Sequence, residues 1–470
     1  MAAPPTTAST EGPLYELVSR GNKDVFFFQD LPDSKFLFDS VYEPQTPFLA
    51  DLRRVPPKTS VEFGRTVEFD FDLVGDSMIS PTLLIQLPTW LPSFIASKVS
   101  TSTITDVSGI TYGYTNGIAY FLFETIQVYQ DSILLQEFSG DYLWASSELQ
   151  GSYADKGVSN ALTGKHDGSP LSIARNAAPP PLRLEIPLVG CQGKYDTGFP
   201  QRSSTQHSYR LKCKLRKLVD LIESSDGQVK PSPWGRPDFL QTLTRNGQPI
   251  PFTTLQKESM APLLIQLETR QIYYPSNIQE SIQKTPQRIL FKRIYESVFT
   301  QNHFEYAGLL SGGTASISRR IEGHRHPTSR ILWFFRSTSS LQKNQLWNLF
   351  SGFSNLSLTV AGQTRELPRS PIVWSDLTNV SKEDIDSGLP IYTMNWTLGS
   401  IPKGRFTPDV ASGEVPTGAV NFTTADKPTF LINLTLPPDG STSSELRVFT
   451  EGWSIFQTDG NGRAEQFSLN

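Results

Sequence analysis

The segment with the most obvious chemical capacity in this sequence is Gly323-His324-Arg325-His326. Two imidazoles at alternate positions of an extended segment project to one side and can share a metal ion. Metal-binding β-barrels of the cupin kind complete such a pair with a nearby Glu and a further His. Here Pro327–Arg336 contains no acid and no His follows His326. The segment reads as a loop leading into a strand, and no metal site is expected.

Other reactive types fare no better. No G-x-S-x-G elbow precedes a helix, so acyl transfer by serine has no local signature. Cys191 and Cys213 are the only cysteines; without a C-x-x-C pair they suggest neither a disulfide scaffold nor a thiolate zinc site, and two free buried thiols are expected. Gly157–Lys165 has the glycines of a phosphate loop but the wrong spacing, and His166 stands where Ser or Thr is needed. A glycosidase would need two carboxylates across a cleft, which sequence alone does not select. The expectation is a non-enzyme with no catalytic, cofactor-binding or metal residues and no cofactor.

Two further patterns concern partners. Arg210, Lys212, Lys214 and Arg216 alternate with Leu211, Cys213 and Leu215, placing a basic stripe on one face of a strand. A stripe of this kind fits an acidic partner or, more simply, a solvated sheet face, which is the expected reading. The sequons at Asn355, Asn379, Asn395, Asn421 and Asn433 matter only in a secretory pathway. The N-terminus MAAPPTTASTEGP lacks a basic segment followed by an apolar one, so no signal, and hence no glycan, is expected.

The elements that would position such residues are organised around Phe121–Leu149. Phe121–Gln130 and Ile133–Phe138 read as strands joined across Asp131-Ser132, the spacing of a tight β-hairpin. From Gly140 the apolar residues Tyr142, Leu143, Ala145 and Leu149 fall at helical intervals, with Ser139 or Asp141 as cap. Strand-like stretches precede it at Asp24–Gln29, Ser34–Val41, Thr59–Leu73 (read as a strand pair) and Leu83–Leu87. After it come Leu182–Val189 and Ser208–Ile222. Ser97–Tyr114 and Gly151–Pro181 read as loops. Ser224–Pro262 is polar and rich in Pro and Gly, and takes the domain boundary. Strand-like segments resume at Leu263–Tyr274, Gln287–Gln301, Arg330–Arg336, Leu356–Glu366, Ile391–Leu398, Ala419–Leu436 and Glu445–Gln457, with a helical turn within Leu341–Phe350.

Composition agrees with this division. A chain of 470 residues exceeds one ordinary core and suggests two domains of roughly 200 residues each. Its 29 Phe, 15 Tyr and 8 Trp favour strands, and its 35 Pro and 33 Gly interrupt long helices. A net charge of −4 provides no global field for nucleic acid. No run reaches the roughly eighteen apolar residues of a membrane helix, and Ala rather than Gly follows Met1, so there is no myristoylation signal; a soluble, cytosolically made protein is expected.

Several blocks in register resemble one family, the double jelly-roll major capsid proteins of nucleocytoplasmic large DNA viruses, of the iridovirus, marseillevirus and phycodnavirus kind. They are Gly21-Asn22-Lys23-Asp24-Val25, Phe48, Phe69-Asp70-Phe71 leading to Gly75-Asp76, and the strand ending Leu87-Pro88. Within the hairpin-helix stretch Asp141, Leu143, Trp144 and Glu148-Leu149 fall where the family pattern expects them. Later come His326-Pro327 with Ile331–Phe335, then Pro416–Thr423, and Leu446–Gln457 followed by Gly460–Gly462. The Gly399–Glu414 loop is longer than in iridovirus-like members, and Trp453 stands near a usual Asn.

The resemblance implies an all-β protein of two tandem eight-stranded jelly rolls with a few short helices in loops. The implied limits are a flexible arm at 1–20, a first jelly roll at 21–225, a linker at 226–262 and a second jelly roll at 263–470. It implies a structural protein of the virion, assembled in the host cytoplasm, that forms a homotrimer. Such pseudo-hexameric capsomers tile an icosahedral shell, contacting neighbouring capsomers, minor capsid proteins beneath and an inner membrane, without direct nucleic-acid recognition. A minor capsid or penton-like paralogue is the near alternative. A carbohydrate-binding or glycoside-active sandwich is the distant one, for which Trp144 would have to lie exposed in a groove; as packing, it should be buried.

Overall fold

Val67 and Phe69 alternate with Thr66, Glu68 and Asp70, and both apolar side chains are fully buried while the polar ones reach solvent, as period-2 burial on one face of a sheet requires. The same alternation recurs at Phe123–Gln130, Leu182–Glu185 and Tyr209–Leu215. The computed structural model describes residues 47–88, 111–149, 160–191, 198–231, 262–377, 388–396, 418–425 and 428–466, with the backbone of 244–245 and 248–249. All elements below belong to one compact unit, Phe48–Asn470. The expected arm, the strands at 24–29 and 34–41, most of the 97–114 and 226–262 segments and the 399–414 loop lie outside the described residues.

Eight strands form the first set: β1 (Leu49–Val55), β2 (Thr66–Asp70), β3 (Ser77–Gln86), β4 (Phe123–Gln130), β5 (Ile133–Ser139), β6 (Leu182–Glu185), β7 (Tyr209–Leu215) and β8 (Leu264–Tyr273). They make two antiparallel sheets, ordered β1-β8-β3-β6 and β2-β7-β4-β5. Eight more follow: β9 (Arg288–Gln301), β10 (Ser316–Arg320), β11 (Pro327–Ser337), β12 (Phe353–Val360), β13 (Gln363–Arg369), β14 (Ile391–Asn395), β15 (Thr429–Leu434) and β16 (Ser444–Thr458). Their sheets run β9-β16-β11-β14 and β10-β15-β12-β13. Counted within each set, both have the order 1-8-3-6 and 2-7-4-5, the jelly-roll arrangement, used twice.

This order corrects the expected boundary. Leu264–Tyr273, assigned by sequence to the second half, pairs with β1 from Leu49↔Tyr273 to Val55↔Leu267 and with β3 on its other side. It is the eighth strand of the first roll. The Pro- and Gly-rich stretch before it therefore joins strands seven and eight of one roll and does not separate two rolls. A low-periodicity loop looks the same in either role, which is why composition misplaced it. Thr59–Leu73 likewise yields one strand, and Leu356–Glu366 spans a hairpin whose turn, Ala361-Gly362, has φ of 52° and 76°, the left-handed pair of a tight two-residue turn.

The central stretch folds as its spacing predicts, with one shift. Gln130 faces Ile133 across the turn, where Asp131 takes a φ of 53°, and its carboxylate accepts from Ser208 N–H at 2.8 Å. The first strand starts at Phe123 instead of Phe121, because the fully apolar Ile118–Phe121 closes a helical turn; a short apolar run has no period to tell the two apart. Helix α1 (Gly140–Leu149) follows β5 directly, and Ser139 Oγ accepts from Tyr142 N–H at 3.2 Å. Gly140 is obligatory: a Cβ there would sit 2.1 Å from Tyr120 O and 2.4 Å from Phe123 O. Trp144 is 2% exposed.

The segment Ile331-Leu332-Trp333-Phe334-Phe335 on β11 is buried throughout, because the sheet β9-β16-β11-β14 is covered on both faces. Ile331, Trp333 and Phe335 enter the core of the second roll, while Leu332 and Phe334 enter the cluster that holds the first roll's core, with Phe449 and Ile391 beside them. One continuous apolar core thus runs through the junction of the rolls. No described helix is long and apolar enough to cross a membrane. Replacing Phe334 by Ala should cost about 3–5 kcal/mol of stability. The same change at Phe304, 89% exposed, should stay within about 0.5 kcal/mol. Chemical denaturation midpoints of the two variants check the contrast.

Candidate functional site

The structure places the residues singled out in the sequence in separate surroundings. His324 and His326 sit in the loop before β11. The His324 ring lies 2.7 Å from Ser297 Oγ and 2.6 Å from Thr450 Oγ1, so both nitrogens bridge β9 and β16. Burial pushes its imidazole down to about 4. The rings of His324 and His326 lie 5.8 Å and 6.0 Å from that of Tyr295. Among the described residues no group of three His, Cys, Asp or Glu could hold a metal ion.

Cys213 is a buried free thiol and Cys191 is half-buried; burial drives the Cys213 thiol far up, and the Cys191 thiol donates to Met78 O at 3.4 Å. Lys165, at the end of the glycine segment, is held by Glu148 at 2.6 Å. On the basic stripe, Arg210 lies 3.6 Å from Asp70, Lys212 3.2 Å from Glu68 and Lys214 2.9 Å from Glu124, so neighbouring strands supply the counter-charges. Arg216 departs from the stripe and turns inward. Of the sequons, Asn433 Nδ2 donates to Asn355 Oδ1 at 2.7 Å. Asn421 Oδ1 accepts from Thr423 N–H at 2.9 Å, Asn395 is half-buried, and Asn379 lies outside the described residues.

The concentrated electrostatics lie elsewhere, on the face of β9-β16-β11-β14 that meets the first roll. Alternation places Arg330, Leu332, Phe334 and Arg336 of β11 on that face. The middle is apolar and the two ends are charged. At one end Asp141, entirely buried at the start of α1, meets three guanidinium groups: Arg336 at 2.5 Å, Arg216 at 2.6 Å and Arg447 at 2.8 Å. Arg447 continues to Glu296 at 2.7 Å and Glu445 at 2.5 Å. Burial alone would raise the Asp141 carboxyl, but Arg336, Arg447 and Arg216 outweigh it and hold the group far below its usual range. Arg447 is likewise penalised by burial and then carried upward by Asp141 and Glu445.

Arg336, like Asp141, has no exposed side-chain surface. Its N–H groups make no aligned hydrogen bond. Its partners are the Asp141 charge, the Glu445 carboxylate at 3.9 Å and three ring faces: Phe334 at 4.7 Å, Phe121 at 5.4 Å and Trp144 at 6.0 Å. An aromatic cage of this kind attracts a desolvated cation through the ring quadrupoles. At the other end Glu451, also buried, accepts from Arg330 Nε at 2.9 Å and from the Tyr142 hydroxyl at 3.1 Å, with Lys292 at 3.2 Å. Burial raises this carboxyl, and Arg330 and Lys292 overcome it to bring it down to about 2.

Helix α1 supplies Asp141, Tyr142 and Trp144 from one roll, and β11 and β16 answer from the other; the site is the joint between the rolls. Asp141 and Trp144 were visible in sequence as a cap and a packing residue. Arg330, Arg336 and Glu451 went unremarked, although each is a charge embedded in an apolar run (Arg330-ILWFF-Arg336 and VFT-Glu451-GW), a pattern that signals a buried, paired ion.

No protein-family profile matches the chain, and no curated protein sequence matches it. Solved structures do. PBCV-1 VP54, in a structure fitted into a reconstruction of the virophage Sputnik, aligns over 93% of this chain and 100% of its own, with a TM-score of 0.67 and 12% identity. The Faustovirus major capsid protein aligns over 94% and 96%, with a TM-score of 0.60 and 11% identity. A quasi-atomic PBCV-1 capsid gives a TM-score of 0.65 at 12% identity, covering 93% of this chain and 100% of its own. The protein is thus a double jelly roll, and its fold is that of these viral major capsid proteins.

Removing Asp141 leaves the buried Arg336 with only the more distant Glu445 carboxylate at 3.9 Å, so Asp141→Ala should destabilise the chain by about 3–5 kcal/mol, measured by denaturation. Acid should act on the same joint with a defined sign. The depressed Glu451 carboxyl contributes stability that is fully present above 4.5 and lost as pH falls toward about 2. His324, neutral in the fold, adds a loss between 6.5 and about 4, where the unfolded chain takes up a proton and the folded chain does not. His324→Gln should make the slope between those two pH values shallower, whatever its offset in absolute stability; the remainder comes from His326, since burial and the charges of Arg293 and Arg325 also hold that imidazole below its usual value.

Proposed function

We propose that the chain is a structural, non-enzymatic capsid protein that forms homotrimers, and that these pseudo-hexameric blocks tile the icosahedral shell of a large double-stranded DNA virus. The observation that supports this best is the pair of jelly rolls with one strand order, fused through a continuous apolar core and a buried ion network. A two-roll block with a buried internal joint is a rigid tile, and a shell needs tiles whose edges keep a fixed angle. The similarity of fold over nearly the whole of the capsid proteins compared adds to it.

In this reading residues 1–20 form an arm beneath the shell, directed at minor capsid proteins and an inner membrane. The first roll ends at Tyr273 and the second begins at Arg288. Assembly takes place in the host cytoplasm, and the virion is the protein's final location. Nucleic acid is not recognised directly, since the basic stripe is paired with its own neighbours. The carbohydrate-binding alternative loses its best candidate platform, because Trp144 is 2% exposed.

Sedimentation of the full-length chain tests the reading: the expected species has three times the 52.4 kDa chain mass. A monomer at high protein concentration would contradict it.

A further inference from the structure

Apart from the ionic seam, the rolls meet at a second clasp. Strand β16 ends at Thr458, turns through Asp459-Gly460-Asn461-Gly462-Arg463, and returns as the short strand Ala464–Gln466. The turn rests on Gln206, in the loop before β7 of the first roll. Gln206 N–H donates to Gly462 O at 2.9 Å, its Nε2 donates to Asn461 O at 2.9 Å, and its Oε1 accepts from Arg463 Nε at 3.1 Å. This close approach needs a glycine. A Cβ on Gly462 would lie 2.8 Å from Thr205 Oγ1, and Gly462 takes a φ of 85°, which side chains disfavour.

That glycine follows an asparagine, and with no Cβ in the way its peptide nitrogen can reach the preceding side-chain amide. The chain has three such pairs, Asn116-Gly117, Asn246-Gly247 and Asn461-Gly462, of which the second lies outside the described residues. Asn116 is locked. Its Nδ2 donates to His166 O at 2.7 Å, its Oδ1 accepts from His166 N–H at 2.8 Å, and Gly117 N–H donates to Gly164 O at 3.1 Å. Asn461 is the reverse. Its side chain is exposed and faces the Asp459 carboxylate. Asp459 Oδ1 accepts from the N–H groups of Asn461 at 2.7 Å and Arg463 at 3.1 Å, which steadies the turn on either side of Gly462. Among the described residues no acceptor takes the Gly462 N–H.

We propose that Asn461 is a self-modification site, converting to aspartate or isoaspartate in the folded chain, and that the conversion opens the clasp on Gln206. Hydroxide removes the Gly462 N–H proton, the nitrogen bonds to Asn461 Cγ, and the Cγ–Nδ2 bond breaks to release ammonia, leaving a cyclic imide. Water is the only other reactant. Added at Cγ it opens the ring to aspartate; added at the main-chain carbonyl carbon it leaves isoaspartate, with the chain running through Cγ and one methylene longer. In isoaspartate the former main-chain carbonyl is a free carboxylate, so the oxygens of residues 461 and 462 can no longer both meet Gln206. Either product sets a second negative charge beside Asp459. The seam at Asp141 and Glu451 is untouched, and only this end of the joint loosens.

The test incubates the full-length chain at mildly alkaline pH and maps it by peptide mass spectrometry, with an isoaspartate-specific methyltransferase as label. Residue 461 should convert in the folded chain while Asn116 keeps its amide, and both should convert once the chain is unfolded. In the converted chain the Gln206 amide hydrogen should exchange roughly five- to tenfold faster, as loss of one hydrogen bond requires. Asn461→Gln, whose longer side chain cyclises far more slowly, should keep wild-type exchange through the same incubation. Equal conversion at 461 and 116 in the folded chain would overturn the site. So would a 461 amide that survives an incubation long enough to convert it in the unfolded chain. Conversion with unchanged exchange at Gln206 would overturn the opening of the clasp.

Discussion

The constraint on which the rest of the structure depends is the desolvation of Arg336. A guanidinium with no exposed surface is tolerated only if charge and geometry compensate it. Asp141 provides the charge, and Phe121, Trp144 and Phe334 provide the walls. Those groups come from both rolls, so the compensation exists only when α1 lies against β11 in one orientation. The apolar middle of the seam supplies most of the attraction, because burial of Leu332, Phe334 and Phe449 is non-directional. The ionic ends add what apolar contact lacks: a register. A slip of either roll along the seam would leave Arg336 or Glu451 buried and unpaired.

The seam also explains why two rolls built on one strand order differ in composition. Strand β16 is buried along most of its length, whereas its equivalent β8 alternates on one face only. Strand β11 carries apolar residues on both faces because it lies between two cores. The sequence difference between the rolls therefore records which faces are covered within the chain, and the fold itself is the same.

Part of this was legible in the sequence, for physical reasons. The hairpin into α1 could be read because its period changes from two to 3.6 at Gly140, where no Cβ fits. The presence of two β domains of similar size could be read because strand-like segments resume after the polar stretch and fill a second half as long as the first. The eighth strand of the first roll could not: Leu264–Tyr273 follows a polar stretch long enough to serve as a linker, and strand pairing over such a separation leaves no local mark. The joint was half visible. Asp141 and Trp144 were placed, but Arg330, Arg336 and Glu451 show their partners only in three dimensions. The Gly323–His326 segment, the most chemical-looking stretch, ties β9 to β16 through the His324 ring.

The central claim is that this double jelly roll is a tile for a closed, threefold ring. Negative-stain class averages of the purified full-length protein test it directly. The account predicts a compact six-lobed particle with threefold symmetry, one lobe for each roll of three chains. Two-lobed particles, or aggregates without symmetry, would contradict it.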